Sequence, residues 1–296
     1  MDVAWTALGI LLIALALRDI FDVLFHPLGR GMIARRVVRG VAAAARRAPG
    51  QSGTLGLLAG PLSYIGVVGT WAGLLVFGWA LVFLPQMPQG FHFDPGLDPA
   101  QHSSFLDALY VSLVNLTSLG YGDISPSSSA MRLLGPVETM FGLSLLTASI
   151  SWLISIYNSI SRRDSLAHEV ALAKEAEEKL GEELADADPE LLESMLASFS
   201  DQLIRTRRDL IHFPIVHYFR TEDEERALAG LLPFLGDLAD EAGEERRPHS
   251  LRVRAAILQM AIDDFAETLR WRLLMPGEST DETLRHYQSD HGPVKT

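Results

Sequence analysis

Cysteine is absent from all 296 residues, which excludes disulfides and thiolate metal sites. No Gly-rich strand–turn–helix fingerprint occurs, so a dinucleotide-binding fold is excluded, and no strand-rich stretch reads as a cyclic-nucleotide roll. No nucleophile–base pair emerges in the charged half, and an enzyme is not expected. His212 and His217 lie near the acids Glu222, Asp223, Glu224 and Glu225, but their spacing across Pro214 does not suit a divalent-ion site. Charge itself is scarce early in the chain. Residues 1–160 hold eight Lys/Arg and eight Asp/Glu, whereas residues 161–296 hold seventeen and twenty-nine, so the whole net charge of −12 lies there. An apolar half joined to an acidic half reads as a membrane domain followed by a soluble one. The acidity argues against nucleic acid and for solubility.

Taken in order, residues 1–27 form a first membrane helix, apolar from Val3 to Leu17 and then charged at Arg18, Asp19 and Asp22. Its acidic start argues against a signal peptide, and one arginine is too few for a voltage sensor. Arg18 and Asp22 stand one turn apart and can pair. Residues 28–55 carry six arginines and no acid. The positive-inside rule puts such a segment in the cytoplasm, with the N-terminus outside, and an amphipathic helix on anionic lipid suits it.

Residues 56–160 read as a helix, a short re-entrant element and a second helix. Gly60 to Pro85 make a span, with Pro61 expected in its first turn. Residues 86–103 form an outer loop with Asp94 and Asp98 and no base. Ser104 and Asp107 match a capping box for a helix from Phe105 to Leu116, which at about 18 Å is too short to span. Such an element is tolerated in a membrane where its non-helical continuation lines a watery path. Met131 to Ser159 span again, ending at Arg162 and Arg163.

Between the two spans lies Thr117-Ser118-Leu119-Gly120-Tyr121-Gly122-Asp123. Glycines at alternate positions allow left-handed dihedrals without steric cost, and such a backbone can line up consecutive carbonyls to replace the water shell of a cation. The run resembles the selectivity filter of the potassium channel family, whose TVGYG loops line a pore with carbonyls. The resemblance covers roughly residues 60–160. It implies that the carbonyls of Ser118, Leu119, Gly120 and Tyr121, with the Ser118 hydroxyl, hold K+, the transported ion, with no organic cofactor. Thr117 would support the filter, and Gly122 and Asp123 would close the outer mouth. Ser118 stands where the family has threonine and Leu119 where it has valine, departures that bear on selectivity. Tyr110 matches a position of the family's aromatic belt, and Val111 fills the next.

The same carry-over makes Gly142 a gating hinge and puts Leu143, Leu146, Ile150 and Ile154 on the cavity wall. Close helix packing is the alternative for Gly142. An acid inside a span is a functional candidate by default. Glu138 is therefore expected to brace the filter through Asn115, Thr117 or Tyr121, the alternative being a carboxyl near the interface paired with Arg132. The family's acid on the pore helix is Val114 here.

Residues 161–296 read as helix after helix: a charged extension of the last span and a helix opened by Asp188-Pro189. After these come one capped by Thr221 and Glu224 with breaks near Gly230 and Pro233, a long one from Ser250 to Met275, and a short one from Ser279. The expected fold is thus an all-α membrane protein with three transmembrane helices, a re-entrant pore helix and filter, and an all-helical cytoplasmic domain. A single pore loop supplies one of the four walls such a filter needs, so the resemblance implies a homotetramer. The expected function is a potassium channel in the cell (inner) membrane, surrounded by lipid, gated through its cytoplasmic domain. A weakly selective cation channel and a non-conducting receptor that kept the pore scaffold are the other two readings.

Overall fold

The computed structural model describes residues 2–26, 31–47, 54–220 and 227–291. Nine helices are formed by them: α1 (Asp2–Leu24), α2 (Met32–Arg47), α3 (Thr54–Phe83), α4 (Phe105–Leu116), α5 (Ser129–Leu180), α6 (Pro189–His212), α7 (Leu228–Ala242), α8 (His249–Leu273) and α9 (Thr280–His291). Two three-residue strands, β1 (Phe91–Phe93) and β2 (Ile124–Pro126), pair antiparallel with His92 opposite Ser125. That small sheet lies outside residues 161–296, the part expected to be all-helical. The chain divides into two compact units, one from Met1–Val41 with Ser63–Ile154, the other from Ala42–Leu62 with Ser155–Thr296.

Two helical stretches, Gly56–Gln86 and Ser129–Leu180, are long and apolar enough to cross a membrane. The first begins earlier than the sequence suggested. Helix α3 starts at Thr54, so Pro61 sits inside the helix and not in its first turn; only one backbone bond is lost to its missing N–H, and the apolar turns on either side carry the helix through.

In the first unit α1 and α3 meet through glycine. An ideal Cβ on Gly9 would stand 2.4 Å from the Gly78 carbonyl oxygen, and one on Gly78 would stand 2.9 Å from that of Gly9. Small residues at such a crossing let two backbones approach and pack without the help of the hydrophobic effect. On α5, Met131, Gly135, Glu138, Leu145, Ser149 and Trp152 are buried. Steps of three and four residues put them on one face.

The second unit has its own core. Leu166 and Val170 of α5, Phe199 and Leu203 of α6, Leu232 and Leu235 of α7, and Leu258 and Phe265 of α8 are buried together in one cluster. Asp188 caps α6 with Pro189 at its first position, and Leu274, left-handed at φ 57°, ends α8 just before Pro276. Helix α7 is not broken at Gly230 or Pro233. Pro233 lies early in the helix, where a single lost bond is outweighed by the burial of Leu231, Leu232 and Leu235. Thr221, Glu224 and the acids between them lie outside the described residues.

Candidate functional site

The site is built on α4. Its start is the capping box the sequence carries: the Ser104 hydroxyl accepts from the Asp107 N–H, and Asp107 Oδ2 accepts from the Ser104 N–H at 2.9 Å. Its end is a Schellman turn. The Ser118 N–H donates to the Asn115 carbonyl and the Leu119 N–H to the Val114 carbonyl, both at 3.0 Å, with Ser118 left-handed at φ 60°. Thr117 Oγ1 donates to the Leu113 carbonyl at 2.6 Å.

From that turn positive φ recurs at every second residue: 60° at Ser118, 59° at Gly120 and 83° at Gly122. Alternation of positive and negative φ turns successive N–H groups to one side of the chain and their carbonyls to the other. No hydrogen bond among the described residues ends on the carbonyl of Ser118, Leu119, Gly120 or Tyr121. Residues 117–122 are all exposed, Tyr121 by 67%. Four consecutive acceptors are thus presented, and none of them is used by the described residues.

Beyond Gly122 the chain is clasped. The Asp94 N–H donates to the Asp123 carbonyl at 2.9 Å, extending the β1–β2 pairing to the end of the run. Tyr110 Oη donates to Asp123 Oδ2 at 2.7 Å. Tyr110 therefore reaches the carboxylate of Asp123, a contact more specific than a belt position implies. The strands escaped sequence reading because three residues are too few for a period to register; Phe91 and Phe93 flanking His92 were the signal available.

Behind the run lies Glu138, fully buried at 0% exposure. Its Oε1 is 2.5 Å from Ser112 Oγ and its Oε2 accepts from Asn115 Nδ2 at 3.1 Å. Of the three expected partners Asn115 is met, while Thr117 and Tyr121 bond elsewhere or not at all; Arg132 is not involved. Ser112 was missed, although it lies three residues before Asn115 and so on the same face of α4. Ser112 Oγ also lies 3.0 Å from the Val76 carbonyl of α3, and Thr139 Oγ1 donates to the Asn115 carbonyl at 3.0 Å. Three helices are tied together here by side chains of α4 and α5.

Gly142 lies against the end of α4. An ideal Cβ there would stand 1.9 Å from the Leu116 carbonyl oxygen, so the close-packing alternative has a definite contact behind it. Leu143, Leu146, Ile150 and Ile154 are each exposed by about half their surface on the side of α5 away from its buried face. No group of three or more His, Asp or Glu that could hold a metal ion occurs among the described residues, and the acids near His212 and His217 lie outside them.

Residues 69–158 match the family described as "Ion channel". An uncharacterized membrane protein, YdjJ, of Bacillus subtilis is 24% identical over 289 residues, which cover 94% of this chain and 82% of that protein. The potassium voltage-gated channel subfamily A member 5 of human and that of rabbit are each 27% identical over 103 residues, 35% of this chain and 15% or 16% of those proteins. No solved structure matches. Over residues 69–158 the chain is thus similar to ion channels, and its relatives include potassium channels and a membrane protein.

Proposed function

We propose that this protein is a potassium-selective channel whose filter is the Ser118–Tyr121 backbone, assembled from four copies of the chain around one axis. The observation that carries this reading is the row of four exposed, unpartnered carbonyls held by alternating dihedrals between α4 and α5. An isolated chain has no reason to leave those acceptors and the apolar side chains of Leu119, Leu143 and Leu146 uncovered together; three further copies give them a use. K+ would be coordinated by the carbonyls of Ser118, Leu119, Gly120 and Tyr121, and Leu143, Leu146, Ile150 and Ile154 would line the cavity below. The dipole of α4, negative at its C-terminus, favours a cation there.

Three membrane crossings follow if α1 spans as well, with the N-terminus outside and the acidic C-terminal half in the cytoplasm of a cell whose inner membrane holds the protein. Gating is assigned to that helical half, through a stimulus the site does not name.

Purified full-length protein in vesicles tests the reading. Barium-sensitive rubidium uptake is expected, together with a reversal potential in mixed K+ and Na+ that follows K+. Uptake without discrimination would instead favour a weakly selective cation channel, for which Ser118 and Leu119 are the motivating departures. Absence of uptake from a tetrameric preparation across pH and candidate ligands would sink conduction and leave a receptor.

A further inference from the structure

Helix α1 carries a buried acid that the filter does not explain. Asp19 is 3% exposed, and its carboxylate accepts from three N–H groups: Ile33 at 2.7 Å, Ala34 at 3.0 Å and the Trp71 indole at 2.9 Å. Ile33 and Ala34 open α2, so Asp19 supplies from another helix the cap that normally comes from the preceding residue. That residue is Gly31, where a side chain would crowd α1: an ideal Cβ would stand 2.2 Å from Val23 Cγ2. Glycine lets the start of α2 seat on α1, and Asp19 bonds the N–H groups that seating leaves open.

Seated this way, α2 turns Ala34 and Val38 inward and packs Val37 beside Gly66 of α3, whose ideal Cβ would be 3.1 Å from Val37 Cγ1. Its other face, exposed, carries Met32, Arg36 and Arg39, at i, i+4 and i+7, with Arg35 beside them. The sequence of the whole helix holds five arginines, Arg35, Arg36, Arg39, Arg46 and Arg47, and no acid. A methionine set among arginines on one face suits the boundary between acyl chains and phosphate headgroups.

The seat of α2 is also joined to α5. Trp71, which holds Asp19, packs on Trp152 with ring centroids 5.5 Å apart. Tyr64 packs on Trp152 at 5.3 Å and donates to the Ser149 carbonyl at 2.8 Å. Ser149 and Trp152 flank Ile150, one of the exposed apolar residues of α5. We infer that the Met32–Arg36–Arg39 face binds the anionic phospholipid headgroups of the bilayer, and that the line Asp19–Trp71–Trp152 passes their occupancy to α5 so that anionic lipid raises conduction. The surface stands on charge and geometry; the coupling rests on the channel reading above.

The absence of cysteine provides the assay. Gly40 is exposed and an ideal Cβ there meets nothing within 4 Å, so Gly40→Cys can carry an environment-sensitive fluorophore on the full chain. In phosphatidylcholine vesicles with and without phosphatidylglycerol, brominated phosphatidylglycerol is expected to quench this label more than brominated phosphatidylcholine does. Rubidium flux is expected to rise with phosphatidylglycerol. Removing two charges in Arg36→Gln/Arg39→Gln should weaken the lipid preference roughly 30-fold, at about 1 kcal/mol per charge. Trp71→Phe, which keeps the α2 cap and deletes one bond to Asp19, should keep the quenching preference and lose the lipid dependence of flux.

Equal quenching by both lipids, or a preference unchanged by Arg36→Gln/Arg39→Gln, overturns the surface. A lipid-independent effect of that double variant on flux points to an acidic protein partner instead and overturns it too. Preferential quenching by phosphatidylglycerol without rubidium flux in any lipid supports the surface and refutes the coupling together with the channel reading.

Discussion

Replacing Gly142 by alanine separates two roles that one glycine can have. A hinge glycine is needed for motion, and alanine there leaves the resting fold intact or improves it, since alanine is favoured in a helix by about 1 kcal/mol. The contact with α4 argues otherwise. An ideal Cβ at 142 would lie 1.9 Å from the Leu116 carbonyl oxygen and 2.9 Å from its carbon, so α4 and α5 must separate by roughly 1 Å before the methyl fits, and overpacking of this kind costs about 1–3 kcal/mol. The obstacle is backbone, and it cannot swing aside as a side chain would: the next residues are fixed by the Ser118 and Leu119 N–H bonds to Asn115 and Val114, and Asn115 by Thr139. Gly142→Ala is therefore expected to lose up to about 2 kcal/mol net per chain, the overpacking less the gain in helix propensity, and to disturb the 118–122 run that begins at the displaced turn. Gly73→Ala in α3 is the control, because nothing lies within 4 Å of its ideal Cβ. Thermal unfolding in detergent, with rubidium flux and K+ over Na+ selectivity, reads both. If Gly142→Ala is as stable as Gly73→Ala and only its opening kinetics change, the packing argument is wrong and the hinge is right.

Three further outcomes are expected. Glu138→Leu leaves the half-buried Asn115 amide without its acceptor, at a cost of up to about 1–3 kcal/mol, and should lower both thermal stability and selectivity. Glu138→Gln, whose amide can donate to Ser112 and accept from Asn115, should retain most of each; equal behaviour of the two variants would remove the brace. Tyr110→Phe deletes the bond to Asp123, worth about 1 kcal/mol, and flux through the variant should decline faster during sustained conduction, an expectation refuted by an unchanged time course. In the second unit burial, and then the charges of Glu183, Glu177, Asp237 and Glu244, raise the pKa of Glu241. A raised value in the folded state means the folded chain holds the proton more tightly than the unfolded one. Its contribution is full below the ordinary glutamate value and lost as pH rises through the raised one, so thermal stability should fall over that interval and Glu241→Gln should flatten the fall.

Elements whose signal is local were legible in the sequence. The capping box fixed the start of α4, Asp188-Pro189 that of α6, and alternate glycines marked the run in which φ turns positive. Ser118 is instructive because its left-handed conformation carries no glycine to announce it; the Schellman turn at the end of α4 imposes it. That turn converts a helix end into the first step of an alternating backbone, a link between two local patterns that neither pattern contains.

What escaped reading depends on where separate segments meet. Glu138 announced itself as a buried acid, yet its partner Ser112 is an ordinary serine until α4 and α5 are brought side by side. Asp19 looked like one member of a charged cluster with Arg18 and Asp22, and Arg18 does lie 3.8 Å from Asp22. But successive helical residues point some 100° apart, so Asp19 faces a different neighbour and bonds the start of the following helix. The polar groups that hold this membrane unit together follow one physical rule: where hydrocarbon or packed side chains exclude water, each polar atom must find a protein partner. Asp19 and Glu138 obey it by reaching across to other helices, and each therefore fixes a geometry, one at the basic helix and one behind the 118–122 run. Damage to either should register at a distance from the residue changed, in lipid dependence for Asp19 and in selectivity for Glu138.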